Sequence, residues 1–123
     1  MHELSIARAV VAEVTVALAG HQDAAVELVR LRVGRLAGID PQALAYGFEF
    51  ARAGTICETA ELEVERVSVL IACAPCGAER RTDGASVRCP DCDTPSADIL
   101  AGRDLTIVSV DLAEEDADSE VAA

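Results

Sequence analysis

Cys73-Ala-Pro-Cys76-Gly77 and Cys89-Pro-Asp-Cys92, within VSVLIACAPCGAERRTDGASVRCPDCD (residues 67–93), decide how the second half of this chain folds. Each pair places two thiols within reach of one ion, and the twelve residues between the pairs (77–88) can loop back to bring the second pair opposite the first. Zn²⁺ favours a tetrahedral shell of thiolates, and two CxxC pairs supply one. Gly77 follows the first pair, where a knuckle turn calls for positive φ. Pro90 fixes a turn angle inside the second. Four ligands leave no open position, so the site reads as structural. Two disulfides or four unrelated thiols are the alternatives, as is iron in a rubredoxin-like electron carrier.

Outward from the cysteines, the totals set bounds. A chain of 123 residues suffices for one compact domain, or a small domain with a metal-held lobe. Its apolar residues are mostly Val, Leu, Ile and Ala, with Tyr46, Phe48 and Phe50 as the aromatics. The net charge is −12, from 22 acids against 10 bases, all of them arginine. Such a surface repels phosphate backbones and anionic lipid, which argues against nucleic-acid or membrane partners and against a nucleic-acid-binding zinc ribbon. No apolar run reaches the length of a membrane span, and the opening Met1-His2-Glu3 lacks the pattern of a secretion signal. Thiolates around zinc favour a reducing compartment, so a cytoplasmic protein is expected. Cys57 reads as a small buried apolar residue, and His21 as a solvated loop residue. No nucleophile–base pair, phosphate loop or open metal site marks an enzyme.

Periodicity supplies the elements. Ala7, Val10, Val11, Val14 and Leu18 recur at helical spacing from Ser5 to Leu18, and Gly20 suits a cap. Ala25 to Val33 reads as a strand. Asp40-Pro41 opens a second helix, an N-cap acid followed by proline, running to about Ala53 and stopping at Gly54. Tyr46 and Phe50, four apart on it, are expected to pack toward the core. Ala60 to Ala72 predicts one long strand or two leading into Cys73, and Leu105 to Leu112 another. The resulting class is α+β: a small, mainly antiparallel sheet with two helices on one face, plus an inserted zinc-ribbon-like lobe with two CxxC knuckles. The expected division is 1–68 with 103–112 as an α/β domain, 69–102 as the zinc lobe stabilised by its metal, and 113–123 as an acidic disordered tail.

A second metal site is legible at the first residues. The imidazole and backbone nitrogen of His2 and the amine of Met1 can reach one ion through small chelate rings. Such nitrogen-rich coordination suits Ni(II) or Cu(II). Taken alone, a histidine at position two also reads as a solvated terminal residue.

MHELSIARAVV at the start, GFEF…GT and GTICETAELEVERV in the middle, and CAPCG followed by CPDCD resemble the HypA/HybF family of hydrogenase-maturation nickel metallochaperones, from Met1 to about Leu112. The resemblance implies a nickel-binding α/β domain and a separate zinc lobe held by Cys73, Cys76, Cys89 and Cys92. It implies nickel at the amino terminus through His2 and nearby nitrogens, including Met1, with Glu3 or Asp40 as accessories. It also implies two partners, a HypB-type GTPase and a hydrogenase large-subunit precursor, with Ni(II) as transient cargo. Asp40 has a competing role as helix cap. The GRDL segment and Cys57 depart from the family pattern, where glycine is more often followed by glutamate and a small residue stands in place of the cysteine. The rival function is a zinc-stabilised interaction module that delivers no nickel.

Overall fold

The computed structural model describes residues 2–21 and 23–113. Its elements run α1 (His2–Ala17), β1 (Val26–Gly34), α2 (Pro41–Ala51), β2 (Glu61–Val67), β3 (Leu70–Cys73), β4 (Ala78–Arg81), β5 (Ile99–Ala101) and β6 (Leu105–Leu112). The chain forms two compact units, one from Met1–Leu31, Asp40–Glu63 and Ile107–Ala123, the other from Arg32–Ile39 and Val64–Thr106. Strands β2-β1-β6 make one three-stranded sheet and β4-β3-β5 a second. No helix among the described residues is long and apolar enough to cross a membrane.

In the first unit, α1 buries Ala7, Val10, Val11 and Val14, the stripe that a 3.6-residue period places on one face. The strand β1 contributes buried Val26, Val29 and Leu31, and α2 contributes Leu44 and Phe48. Cys57 is fully buried among these apolar residues, and burial pushes its thiol pKa up, as befits an inert core cysteine. β1 and β2 run parallel, with Val26 N–H bonded to Ile56 O at one end and Arg30 paired with Glu63 farther along. Parallel neighbours need a crossover, and α2 is that crossover. β6 runs antiparallel to β1: Ala113 N–H donates to Ala25 O at 2.8 Å, and Arg30 reaches Asp111. Ala113, expected in the tail, thus still takes part in sheet pairing. The rest of the acidic tail, residues 114–123, lies outside the described residues.

One expectation fails here. Tyr46 and Phe50 do not pack into the core: they are 66% and 61% exposed. Nearly every residue of PQALAYGFEFA is apolar or small, so composition does not choose the buried face. Packing chooses it. Leu44, Gly47 and Phe48, spaced i, i+3, i+4, turn inward, which forces Tyr46 and Phe50 outward.

The second unit differs from the expected loop, for it is a small antiparallel sheet. β3 and β4 pair from Leu70↔Arg81 to Cys73↔Ala78, so the first cysteine knuckle is a hairpin turn. β5 pairs on the other side of β3, with Ile71↔Ile99. AERR and ILA are too short and too mixed to announce themselves as strands; they form because the knuckle folds the chain back on β3. Close backbone contact finishes the unit. A Cβ on Gly34 would lie 2.1 Å from Gly102 O, and Gly102 itself adopts φ 105° against Val69. Only glycine fits at both places. The glycine of GRDL is therefore a backbone requirement of this chain.

Candidate metal centres

Cys73, Cys76, Cys89 and Cys92 place their sulfurs all within 4.8 Å of one another. Cys73 and Cys92 are 3.5 Å apart, Cys76 and Cys89 3.9 Å. A tetrahedron with metal–sulfur bonds of about 2.3 Å has sulfur–sulfur edges of about 3.8 Å. The four thiols fit that shell. All five cysteines are free, which removes the disulfide reading.

The chain builds the two knuckles by the same device. Gly77 N–H donates to Cys73 O at 2.8 Å with Gly77 at φ 65°, and Asp93 N–H donates to Cys89 O at 2.8 Å with Asp93 at φ 64°. Asp93 takes the left-handed place that Gly77 holds in the first knuckle. Aspartate tolerates that conformation better than most side chains do. The signal was present in the sequence, because Asp93 follows its CxxC at the same offset as Gly77. Asp91 N–H also donates to Cys89 Sγ at 3.4 Å. Arg80 Nε on β4 lies 2.7 Å from Asp91 Oδ2, an ion pair that ties β4 to the second knuckle. Cys73 and Cys89 are buried with Val69 and Ile71 in a small core, flanked by Leu36, Cys76 and Ile99. Two of the four candidate metal-binding sulfurs are thus also core atoms.

As free thiols, Cys73, Cys76 and Cys92 do not ionise alike. Cys92 is held down to about 6 by hydrogen bonds from the Thr94 hydroxyl and backbone, while Cys76 is pushed up to about 12 by the sulfurs of Cys92, Cys73 and Cys89. The Cys76 backbone N–H favours the Cys73 thiolate, but burial and the sulfurs of Cys92 and Cys89 outweigh it and raise this thiol. The thiolate is favoured at Cys92 and resisted at Cys73 and Cys76, a resistance that a bound dication would offset.

The amino-terminal residues gather in the first unit. The helix α1 starts at His2, three residues earlier than the periodicity suggested, so His2 and Glu3 sit in its first turn. Asp40 N–H donates to Glu3 Oε2 at 3.0 Å, and His2 Nδ1 lies 3.8 Å from the same oxygen. This bond from the Asp40 backbone is the main cause that lowers the Glu3 carboxyl pKa. Asp40 caps α2 as expected, with Oδ1 accepting from Gln42 N–H at 3.0 Å. His2, Glu3 and Asp40 are therefore neighbours although 37 residues separate Glu3 from Asp40. Their approach depends on Gly47: a Cβ there would stand 3.1 Å from Leu4 Cα and 3.4 Å from Glu3 O. Sequence reasoning did not pick out Gly47, because a close helix crossing leaves no local mark. Met1 lies outside the described residues, and His21 is exposed.

These two constellations occur in a chain with well-defined relatives. A family model described as "Hydrogenase/urease nickel incorporation, metallochaperone, hypA" matches residues 1–112. A hydrogenase maturation factor HypA from Streptomyces avermitilis is 45% identical over 112 residues, covering 89% of this chain and 86% of that protein. Its counterpart from Chloroflexus aurantiacus is 40% identical, covering 90% and 98%. Among solved structures, the solution structure of the Ni metallochaperone HypA from Helicobacter pylori superposes with a TM-score of 0.65 at 20% identity, covering 89% of this chain and 96% of that one. That likeness concerns the fold. With a family model spanning both cysteine knuckles and the amino-terminal residues, and relatives matched over nearly their whole length, this chain belongs to the HypA family.

Proposed function

We propose that this protein binds Ni(II) at its amino terminus and passes it to a hydrogenase large-subunit precursor, with a HypB-type GTPase licensing the transfer and Zn(II) held permanently by Cys73, Cys76, Cys89 and Cys92. The observation that carries the nickel reading is the gathering of His2, Glu3 and Asp40 at one helix start. The first N–H groups of a helix have no intrahelical acceptor, so the His2 backbone nitrogen is not committed to the helix. The Met1 amine and the His2 imidazole complete a nitrogen-rich set that suits a Ni(II) ion. Glu3 and Asp40 add negative charge where the helix end is positive, and so make a cation tolerable there.

Zinc is favoured over iron at the four sulfurs because nothing in the proposed work requires electron transfer; the bound metal neutralises the thiolates and ties the two knuckles together. Colourless purified protein with zinc matching the protein concentration is expected, whereas a red product would overturn this assignment. Hydrogenase is preferred to urease as the client because the curated relatives cited above are named hydrogenase maturation factors. We assign the protein no catalytic step of its own, and place it in the cytoplasm with its client. The division of labour follows the two units: the helical unit carries nickel and the cysteine unit carries zinc.

The deciding experiment is a calorimetric titration of untagged, zinc-loaded protein with Ni²⁺, beside His2→Ala and a form extended at the amino terminus. Stoichiometric binding lost in both altered proteins supports the reading. Binding indifferent to His2, or none at all, overturns it and leaves a zinc-stabilised interaction module.

A further inference from the structure

Two of the three aromatic residues in this chain stand in water. Tyr46 and Phe50 are 66% and 61% exposed, and their rings pack edge-to-face with centroids 5.2 Å apart. They line a cleft of about 230 Å³ together with Glu3, Leu4, Ala43 and Gly47. The cleft is apolar apart from Glu3, whose Oε2 lies 3.8 Å from His2 Nδ1. A rigid aromatic pair beside a pocket has the makeup of a binding anchor, since such side chains bury much area at little conformational cost.

Charge selects the occupant. Glu3 lies within the cleft, exposed Glu49 sits between Tyr46 and Phe50 in sequence, and exposed Asp40 begins the same helix; the arginines of the two helices are Arg8 on α1 and the α2 C-cap Arg52, whose guanidinium donates to Ala60 O. The chain's own end, with Glu114, Glu115, Asp116, Asp118 and Glu120, would bring like charge against these acids. A second copy would bring another chain of net charge −12 and the same acids against these. A foreign segment with an apolar tip and flanking Arg or Lys is attracted by the acids, and its cation can also lie over an aromatic face.

We propose that the Tyr46–Phe50 cleft docks the polypeptide that receives the nickel, through a basic segment whose apolar tip enters beside Glu3. This rests on the nickel reading above and names the place where the recipient engages. Docking there sets incoming ligands next to the ion at His2, so that exchange proceeds ligand by ligand within the covered surface.

The test uses untagged, zinc-loaded full chain and the purified hydrogenase large-subunit precursor as recipient, with the purified GTPase as a second analyte. Affinities are compared for wild type, Phe50→Glu, Tyr46→Ala and the conservative Phe50→Leu, each checked for zinc content, thermal stability and Ni²⁺ binding. Phe50→Glu is expected to weaken precursor binding by about thirtyfold or more, the size of a hot-spot loss. Tyr46→Ala should weaken it less and Phe50→Leu least, with zinc and nickel binding intact in all three. Unchanged precursor affinity in Phe50→Glu overturns the proposal. So does loss of GTPase binding in place of precursor binding, or a wild-type dimer that Phe50→Glu dissociates. A wild type that binds no nickel, but whose precursor affinity still depends on Phe50, supports the docking face and removes the nickel reading instead.

Discussion

The cysteine quartet and the amino-terminal cluster offer an ion opposite surroundings. The quartet draws four sulfurs from two knuckles, backs them with Val69 and Ile71, and buries Cys73 and Cys89. Removing a metal from it means exposing core atoms and leaving crowded thiols behind. The His2 cluster sits at a helix start, with the His2 side chain 61% exposed and a carboxylate and a backbone N–H as neighbours. On the proposed nickel reading, the ligands there are open to replacement one at a time from solvent. On that reading burial, more than ligand chemistry alone, separates the resident metal from the cargo.

The largest test of that contrast is Cys89→Ser. Structural zinc in comparable small domains contributes on the order of 10 kcal/mol or more to folding. This variant should lose its zinc by elemental analysis and the ordered amide signals of β3, β4 and β5 together. Cys92→Ser, at the exposed corner, should keep more zinc than Cys89→Ser in the same analysis; equal zinc content would refute burial as the source of retention.

Phe48→Ala comes next and strikes only the helical unit. Truncating a buried phenylalanine costs about 3–5 kcal/mol, and Phe48 is 2% exposed. Thermal unfolding should shift down strongly while zinc content stays stoichiometric. Zinc loss in this variant would mean that the two units do not keep their metals independently.

Acid acts on the amino-terminal cluster in two ranges of pH. The Glu3 carboxyl is lowered by the Asp40 N–H bond, so this tie is fully present above the unfolded value of roughly 4.3 and is lost as pH falls through the lower folded value. The tie therefore persists at neutral pH. Nickel binding should already weaken below about pH 7, as protons compete for the nitrogen ligands. Nickel affinity that holds down to pH 5 would remove imidazole and amine from the ligand set.

The smallest expected effect belongs to Asp40. Asp40→Ala removes a helix cap worth about 1 kcal/mol, while Asp40→Asn keeps the cap. Equal nickel affinity in Asp40→Asn and wild type would confine Asp40 to capping; a drop in Asp40→Asn with unchanged melting temperature would identify its carboxylate as an accessory to the ion.

Sequence alone determined whatever depends on short-range pattern. The CxxC spacing announced the thiolate quartet because two thiols three residues apart meet one ion in nearly any knuckle turn. Asp40-Pro41 marked a helix start because capping and a fixed φ are local properties, and the α1 stripe followed from a 3.6-residue period. What the tertiary structure alone decided depends on which surfaces meet. In α2, apolar almost all round, packing buried Leu44 and Phe48 and turned Tyr46 and Phe50 outward. The short strands β4 and β5 exist only because β3 lies between them. Gly47 and Gly102 matter because another stretch of backbone passes within about van der Waals contact of each, and His2, Glu3 and Asp40 become one cluster only once α1 crosses α2 at Gly47. Local pattern carries the physics of a turn or a cap, whereas the choice of a buried face and the meeting of distant residues are made by the whole chain competing for the same core.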